Sequence, residues 1–155
     1  MRLRIVALGH RMPGWVDAAF AEYAKRVPRE YALELVEIKP ESRARGRTVA
    51  QLLGAEAIRI RAASAADRIV ALDERGDAWT TRDLASHLAR WRTDDASIAF
   101  VIGSADGLDA GLKQCAAVRL AVSAMTLPHG LVRILLAEQL YRAAMLVAGH
   151  PYHRD

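Results

Sequence analysis

Three segments of this chain have the residue types that could hold or transform a ligand, and each follows a short apolar run. They are Leu72-Asp73-Glu74-Arg75-Gly76, Ile102-Gly103-Ser104-Ala105-Asp106-Gly107-Leu108 and Val122-Ser123-Ala124-Met125-Thr126-Leu127-Pro128-His129. In an open parallel sheet, ligands bind beyond the carboxyl ends of the strands. The two glycines after Ile102 either make a simple turn or let backbone amides approach a ligand, where a branched side chain at 103 would fill the space. This is neither a Walker loop nor a six-residue dinucleotide fingerprint, so no phosphate loop is indicated. Ser104 is not in a nucleophile elbow, which argues against a serine hydrolase. In the third segment, Ser123, Ala124 and Thr126 alternate with Val122, Met125 and Leu127 just before a long helix. Such a loop offers main-chain donors and acceptors over an apolar floor, which suits an adenine ring.

The five histidines are His10, His87, His129, His150 and His153. His87 lies beside Leu84 and Leu88 and reads as a surface or boundary residue. His150 and His153 have a spacing that two metal ligands can use, but Pro151 breaks any helix there and no third ligand is near, so no metal is expected. The segment Gly149-His150-Pro151-Tyr152-His153-Arg154-Asp155 instead carries aromatic, imidazole and guanidinium groups, which stack on bases and contact phosphates.

The elements that must position these residues alternate strand and helix. Leu3 to Leu8 reads as a first strand, and Trp15, Ala19, Tyr23 and Val27 share one face of a helix that Pro28 ends. Leu33 to Ile38 is a second strand, stopped by Pro40. Glu41 to Arg47 has no apolar face and is expected to be a mobile basic loop. Val49, Leu53, Ala57 and Ile60 mark a helix to about Ala63. Arg68 to Asp73 is a third strand, and Thr80 or Thr81 caps a helix whose buried stripe is Leu84, Leu88 and Trp91. Ser97 to Ile102 is a fourth strand, followed by a short helix around Leu112 to Val118 and a fifth strand near Leu120 to Ser123. The longest helix runs from Leu131 to about Val147, with Val132, Leu135, Leu136, Leu140 and Ala143 inward. This order predicts an α/β fold, a mostly parallel sheet covered on both faces, in one domain spanning residues 1–155.

The chain has 155 residues, 52% hydrophobic and 26% charged, which suits one soluble globular domain. The single cysteine, Cys115, excludes an internal disulfide, and no apolar run is long enough for a membrane helix. The first residues break at Gly9-His10-Arg11, too early for a signal-peptide core. The net charge is +4, and of the 22 cations only Lys25, Lys39 and Lys113 are lysine. Arginine's planar fork suits phosphates and stacks on bases, so the surplus permits RNA binding; a GC-rich coding bias gives the same ratio.

Several segments together resemble one family. They are Gly9-His10-Arg11-Met12-Pro13-Gly14-Trp15, Leu72-Asp73, the glycine turn at 103–108, Thr126-Leu127-Pro128-His129, Glu138-Gln139-Leu140-Tyr141-Arg142-Ala143 and His150-Pro151-Tyr152-His153-Arg154. The chain resembles, over its whole length, the bacterial ribosomal RNA large subunit methyltransferase H family of the SPOUT superfamily. One departure is Ser104, where the family turn usually has glycine.

The resemblance implies S-adenosylmethionine-dependent methylation of N3 of a pseudouridine in 23S rRNA; a domain this small has no accessory RNA module, so recognition within the assembled ribosome is expected, and the single cysteine suits the cytoplasm. It also implies a C-terminal trefoil knot and a homodimer with the site at the subunit interface. By position, it assigns cofactor contacts to Leu72, Gly103, Val122, Ser123, Ala124, Met125, Thr126 and Leu127. Arg142, Tyr152, His153 and Arg154 form the implied substrate and catalytic group. The N3 proton must leave before or during attack on the methyl; His153 has the intrinsic pKa to accept it, and Arg142 or Arg154 can stabilise the imide anion. Neither metal nor membrane enters this reading. The rival is a non-catalytic RNA-binding protein that keeps the fold, with Ser104 as its support.

Overall fold

The computed structural model describes residues 1–43, 46–64 and 67–150. Five strands, β1 (Leu3–Leu8), β2 (Leu33–Ile38), β3 (Arg68–Ala78), β4 (Ile98–Ile102) and β5 (Val118–Ala121), form one sheet in the order β2-β1-β4-β3-β5. Every neighbouring pair is parallel. Between them run α1 (Gly14–Ala24), α2 (Val49–Ala63), α3 (Thr81–Thr93), α4 (Ala110–Cys115) and α5 (His129–Val147).

The strand pleat sends alternate residues to opposite faces, and both faces are apolar. Leu3, Ile5 and Ala7 join Ile98, Phe100 and Ile102 in a core under α1, α3 and α5. Val6 and Leu8 join Ala99 and Val101 in a second core with Ala57 and Ile60 of α2 and Leu112 of α4. Capping boxes built on Thr48 and Thr80 set the starts of α2 and α3. Leu84, Leu88 and Trp91 are buried as the spacing predicts.

Other faces differ from expectation. In α1 the buried residues are Val16 and Phe20, while Trp15 is 59% exposed. In α2, Leu52 and Glu56 face inward and Val49 is exposed. In α5, Leu136, Leu140 and Ala143 are buried, but Leu135 is 39% exposed and Arg133 fully buried. These helices carry apolar residues on more than one side, so periodicity alone does not say which side meets the sheet. β3 outruns its predicted end because the chain bulges between Leu72 and Asp77, both paired with Leu120, and then rejoins β5. Gly76 permits this return: a Cβ there would lie 2.6 Å from the Arg119 backbone. β5 starts and ends earlier than predicted, which leaves Val122 and Ser123 in the loop beyond it. The segment expected to be a mobile basic loop is tied down on both sides of the undescribed 44–45. Glu41 pairs with Arg47 and Arg59, and Arg43 pairs with Asp106. No described helix is long and apolar enough to cross a membrane.

Candidate functional site

The carboxyl ends of β1 and β4, the bulge of β3 at residues 72–75 and the loop after β5 open onto one cleft of about 910 Å³. Ligand clefts fall in this size range. Leu72, Gly103, Val122, Ser123, Met125, Thr126 and Leu127 line it, seven of the eight residues assigned to a cofactor from the sequence. Ala124 is exposed and does not line it. Met12, Glu56, Asp73, Lys113 and His129 also line it, outside the residues assigned to a cofactor.

The turn after β4 is shaped by contacts within the protein. A Cβ on Gly103 would lie 2.4 Å from the Gly107 carbonyl oxygen, so this glycine is required by the turn itself. The Gly107 amide donates to the Ser104 carbonyl at 2.9 Å, and Gly107 has a φ of +87°. Ser104 does not share that conformation: its φ lies outside the left-handed region. Its hydroxyl donates to Glu56 Oε2 at 3.0 Å, and Glu56 Oε1 accepts the Glu41 amide at 3.1 Å. Serine at this position therefore carries no glycine-only strain and gains a partner. In the loop after β5, the Met125 amide donates to Ser123 Oγ at 2.9 Å, a local turn that sets the path toward Pro128.

Charge is arranged around this apolar floor. Burial pushes the Asp73 carboxyl up, but the Arg75 amide and the Lys113 ammonium outweigh it and hold the group below the usual carboxylate range. His129 opens α5. Burial first, and then the Arg133 guanidinium, push its imidazole down to about 4, against a weaker pull from the Gly103 backbone. Its Nε2 is buried without a hydrogen-bond partner among the described residues. One turn on, Arg133 is fully buried, donating to Glu37 Oε1 at 2.6 Å and to the Gly9 carbonyl at 2.8 Å. Arg133 escaped the sequence reading because an arginine on a long helix reads as solvated; its i+4 spacing from His129 was the available signal.

Arg142 is not brought to this cleft. It stands thirteen residues beyond His129, about 20 Å along α5. Its guanidinium donates to Glu138 Oε1 at 2.9 and 2.6 Å. Tyr152, His153 and Arg154 lie outside the described residues. Among the described residues no group of three His, Cys, Asp or Glu is placed to hold a metal. His87 stacks on Trp79 with ring centroids 3.8 Å apart, a packing role away from the cleft.

The family model described as "Predicted SPOUT methyltransferase" matches residues 1–153. The chain belongs to the SPOUT methyltransferase family. It is thus a methyltransferase, and S-adenosylmethionine is the methyl donor that membership implies. The chain is 57% identical over 155 residues to a protein of Nitrosospira multiformis named Ribosomal RNA large subunit methyltransferase H, covering 99% of each. It is 56% identical, with the same coverage, to the protein of that name in Burkholderia thailandensis. The tRNA (m1G37) methyltransferase from Aquifex aeolicus shares the fold at a TM-score of 0.56 and 12% identity, over 99% of this chain and 74% of that one.

Proposed function

We propose that this chain methylates N3 of a pseudouridine in large-subunit rRNA, on the assembled ribosome in the cytoplasm, as a single 1–155 domain working in a homodimer. The observation that carries the reading is the cleft: seven residues from the β3 bulge, the turn after β4 and the loop after β5 converge on it. Its donor set also fits the cofactor. Leu72, Ile102, Val122 and Leu127 offer an apolar bed for the adenine, while Asp73 and Glu56 offer carboxylates to a ligand bearing an ammonium and a sulfonium. Lys113 and Arg75 on the same wall suit a ligand carboxylate. When bound, the cofactor supplies an electrophilic methyl group.

The remaining chemistry falls to the chain. The N3–H lies between two carbonyls and is weakly acidic. His153 takes this proton, and Arg142 or Arg154, which do not titrate in the working range, stabilises the imide anion. Tyr152 stacks on the target base. Alignment of N3, the methyl carbon and the sulfur in one line supplies much of the rest.

Two observations support the dimer. Leu131 and Leu135 of α5 and Trp15 of α1, a helix that packs on α5, stay 37%, 39% and 59% exposed. In addition, Arg142 is too far along α5 to serve its own cleft. An antiparallel pairing of two α5 helices centred on Leu135 sets Arg142 of one copy opposite Pro128 of the other, at the mouth of the second cleft. The C-terminal trefoil knot that the resemblance implies forms part of this proposal.

The deciding experiment is transfer of a labelled methyl group from S-adenosylmethionine to intact ribosomes and to naked 23S rRNA. Transfer to ribosomes, with the label on pseudouridine, is the expected result. No transfer to either substrate at micromolar enzyme sinks the reading.

A further inference from the structure

The turn between β1 and α1 has a left-handed residue that no helix end accounts for. Among the described residues, three besides glycine have positive φ: Arg11 at 56°, Ala32 at 37° and Asp95 at 50°. Ala32 caps the short 3-10 helix at Arg29–Tyr31, and Asp95 follows the C-cap of α3, where a left-handed residue is ordinary. Arg11 ends no helix. A left-handed arginine is rare, because its Cβ crowds the following carbonyl, and such residues persist where the surroundings force them.

Here the surroundings do force it. The Gly9 amide donates to the Ile38 carbonyl at 2.9 Å, and the Gly9 carbonyl accepts from Arg133 Nη2 at 2.8 Å. Arg133 is itself fixed by Glu37 at 2.6 Å. Three residues on, Met12 turns its side chain into the cleft and back over Gly9, where a Cβ would lie 3.2 Å from Met12 Cε. Between these two anchors Arg11 is exposed and makes no hydrogen bond or ion pair with a described residue. A buried arginine, a half-buried methionine and a left-handed backbone thus fix the point beside the cleft wall from which an exposed guanidinium, without a partner among the described residues, leaves the turn.

We infer that Arg11 is a substrate-positioning residue that contacts an RNA phosphate next to the methylated nucleotide. The inference rests on the RNA methyl transfer proposed above. A guanidinium matches a phosphate with two parallel donors, and the left-handed backbone fixes where this one leaves the turn.

The test uses the full-length enzyme with ribosomes and S-adenosylmethionine, comparing the parent with Arg11→Ala, Arg11→Lys and Arg11→Gly. Glycine takes the left-handed conformation freely, so Arg11→Gly removes the cation while relieving the strain. It should melt no lower than the parent and bind S-adenosylmethionine within about twofold in calorimetry. Its kcat/KM for ribosomes should fall about tenfold, chiefly through KM. The slope of log(kcat/KM) against log salt should flatten by about one, the signature of one lost phosphate contact. Arg11→Lys should recover part of the loss. Parental KM and salt slope in Arg11→Gly overturn the inference. So does a loss in Arg11→Ala that comes with a lower melting temperature and an unchanged salt slope, which marks a structural role. A parental enzyme that transfers no methyl to ribosomes sinks the function instead, and ribosome pelleting of parent and Arg11→Gly then reads the contact directly.

Discussion

The Ser104 hydroxyl donates to a carboxylate oxygen of Glu56, a residue only 4% exposed, at 3.0 Å across the cleft wall. The bond joins the turn after β4 to the middle of α2. Removing the hydroxyl leaves a buried acceptor short of one donor, a loss of about 1–3 kcal/mol. Ser104→Ala should therefore lower the urea midpoint. Ser104→Gly should lower it further, since glycine also loosens the unfolded chain and nothing in the φ of residue 104 needs it. A Ser104→Gly protein at least as stable as the parent would refute this account.

Gly103 and Gly107 are both glycine for different reasons, and the variants should separate them. A Cβ on Gly103 collides with the Gly107 carbonyl at 2.4 Å, backbone against backbone, so Gly103→Ala must open the turn. At Gly107 nothing lies within 4 Å, and only the φ of +87° opposes a side chain. Gly107→Ala should cost about 1–2 kcal/mol of stability with little change in the cleft. Gly103→Ala should weaken S-adenosylmethionine binding at least tenfold in calorimetry, by displacing Ser104 and Asp106. The sequence reading had a side chain at 103 filling the ligand's space; the protein's own turn occupies that space first. Equal cofactor affinity in the two variants would show that the turn can move without consequence.

What the sequence showed, and what it hid, follows the same physics. β1, β2 and β4 were legible because each is a short, mainly apolar run bounded by glycine, proline or charge, and α3 because its outer face is polar; the charged second half of β3 was not. The loop after β5 was legible as a cleft wall because hydroxyl and apolar residues alternate where a buried strand needs none. Trp15 and Leu135 were misplaced for one shared reason. Each is apolar on a helix with two apolar sides, and the chain alone does not say which side meets a sheet and which awaits a partner. Arg133 and Glu56 were hidden because a buried charge is decided by distant residues, Gly9 and Glu37 for one, Ser104 and Glu41 for the other.

That second apolar side leads to a prediction about assembly. Leu131 and Leu135 are neighbours at i, i+4 on α5 and both remain partly exposed. Replacing Leu135 with glutamate should leave a folded chain, since the residue is not in the sheet core, but should shift the mass in light scattering from dimer to monomer. If Arg142 serves the partner's cleft, mixing Arg142→Ala with Gly103→Val should restore methyl transfer above either variant alone. A parental monomer at micromolar concentration, or a mixture no better than its parts, defeats the arrangement.

The Arg133–Glu37 pair should be asymmetric in its response to mutation. Arg133 is 0% exposed and its Nε lacks a partner, whereas the Glu37 side chain is 37% exposed. Arg133→Met puts an apolar chain of similar length in the core and lets Glu37 return to water. Glu37→Ala instead strands a buried cation with the Gly9 carbonyl alone, the costlier outcome, about 3–5 kcal/mol. Chemical denaturation should rank Glu37→Ala below Arg133→Met. The reverse order would mean that the guanidinium is held by something other than Glu37.

His129 makes the stability of this fold depend on pH in a fixed direction. Its imidazole ordinarily titrates near 6.5, and in the folded chain burial and then Arg133 bring it down to about 4. Between those values the unfolded chain holds a proton that the folded chain does not. Stability therefore rises with pH through this window: it is fully present above about 6.5 and declines as the solution is acidified toward 4. One such group contributes at most about 1.4 kcal/mol per pH unit. His87 is also lowered, by burial and then Arg90, and adds to the same slope from outside the cleft. His129→Gln cannot titrate, so its urea midpoint should fall less between pH 7 and pH 5 than the parent's does. His87→Gln measures the other share, and the double variant should be flatter than either. If His129→Gln loses as much stability as the parent over that range, the imidazole is not held neutral in the fold, and the desolvated wall drawn here between Gly9, Arg133 and the cleft is wrong.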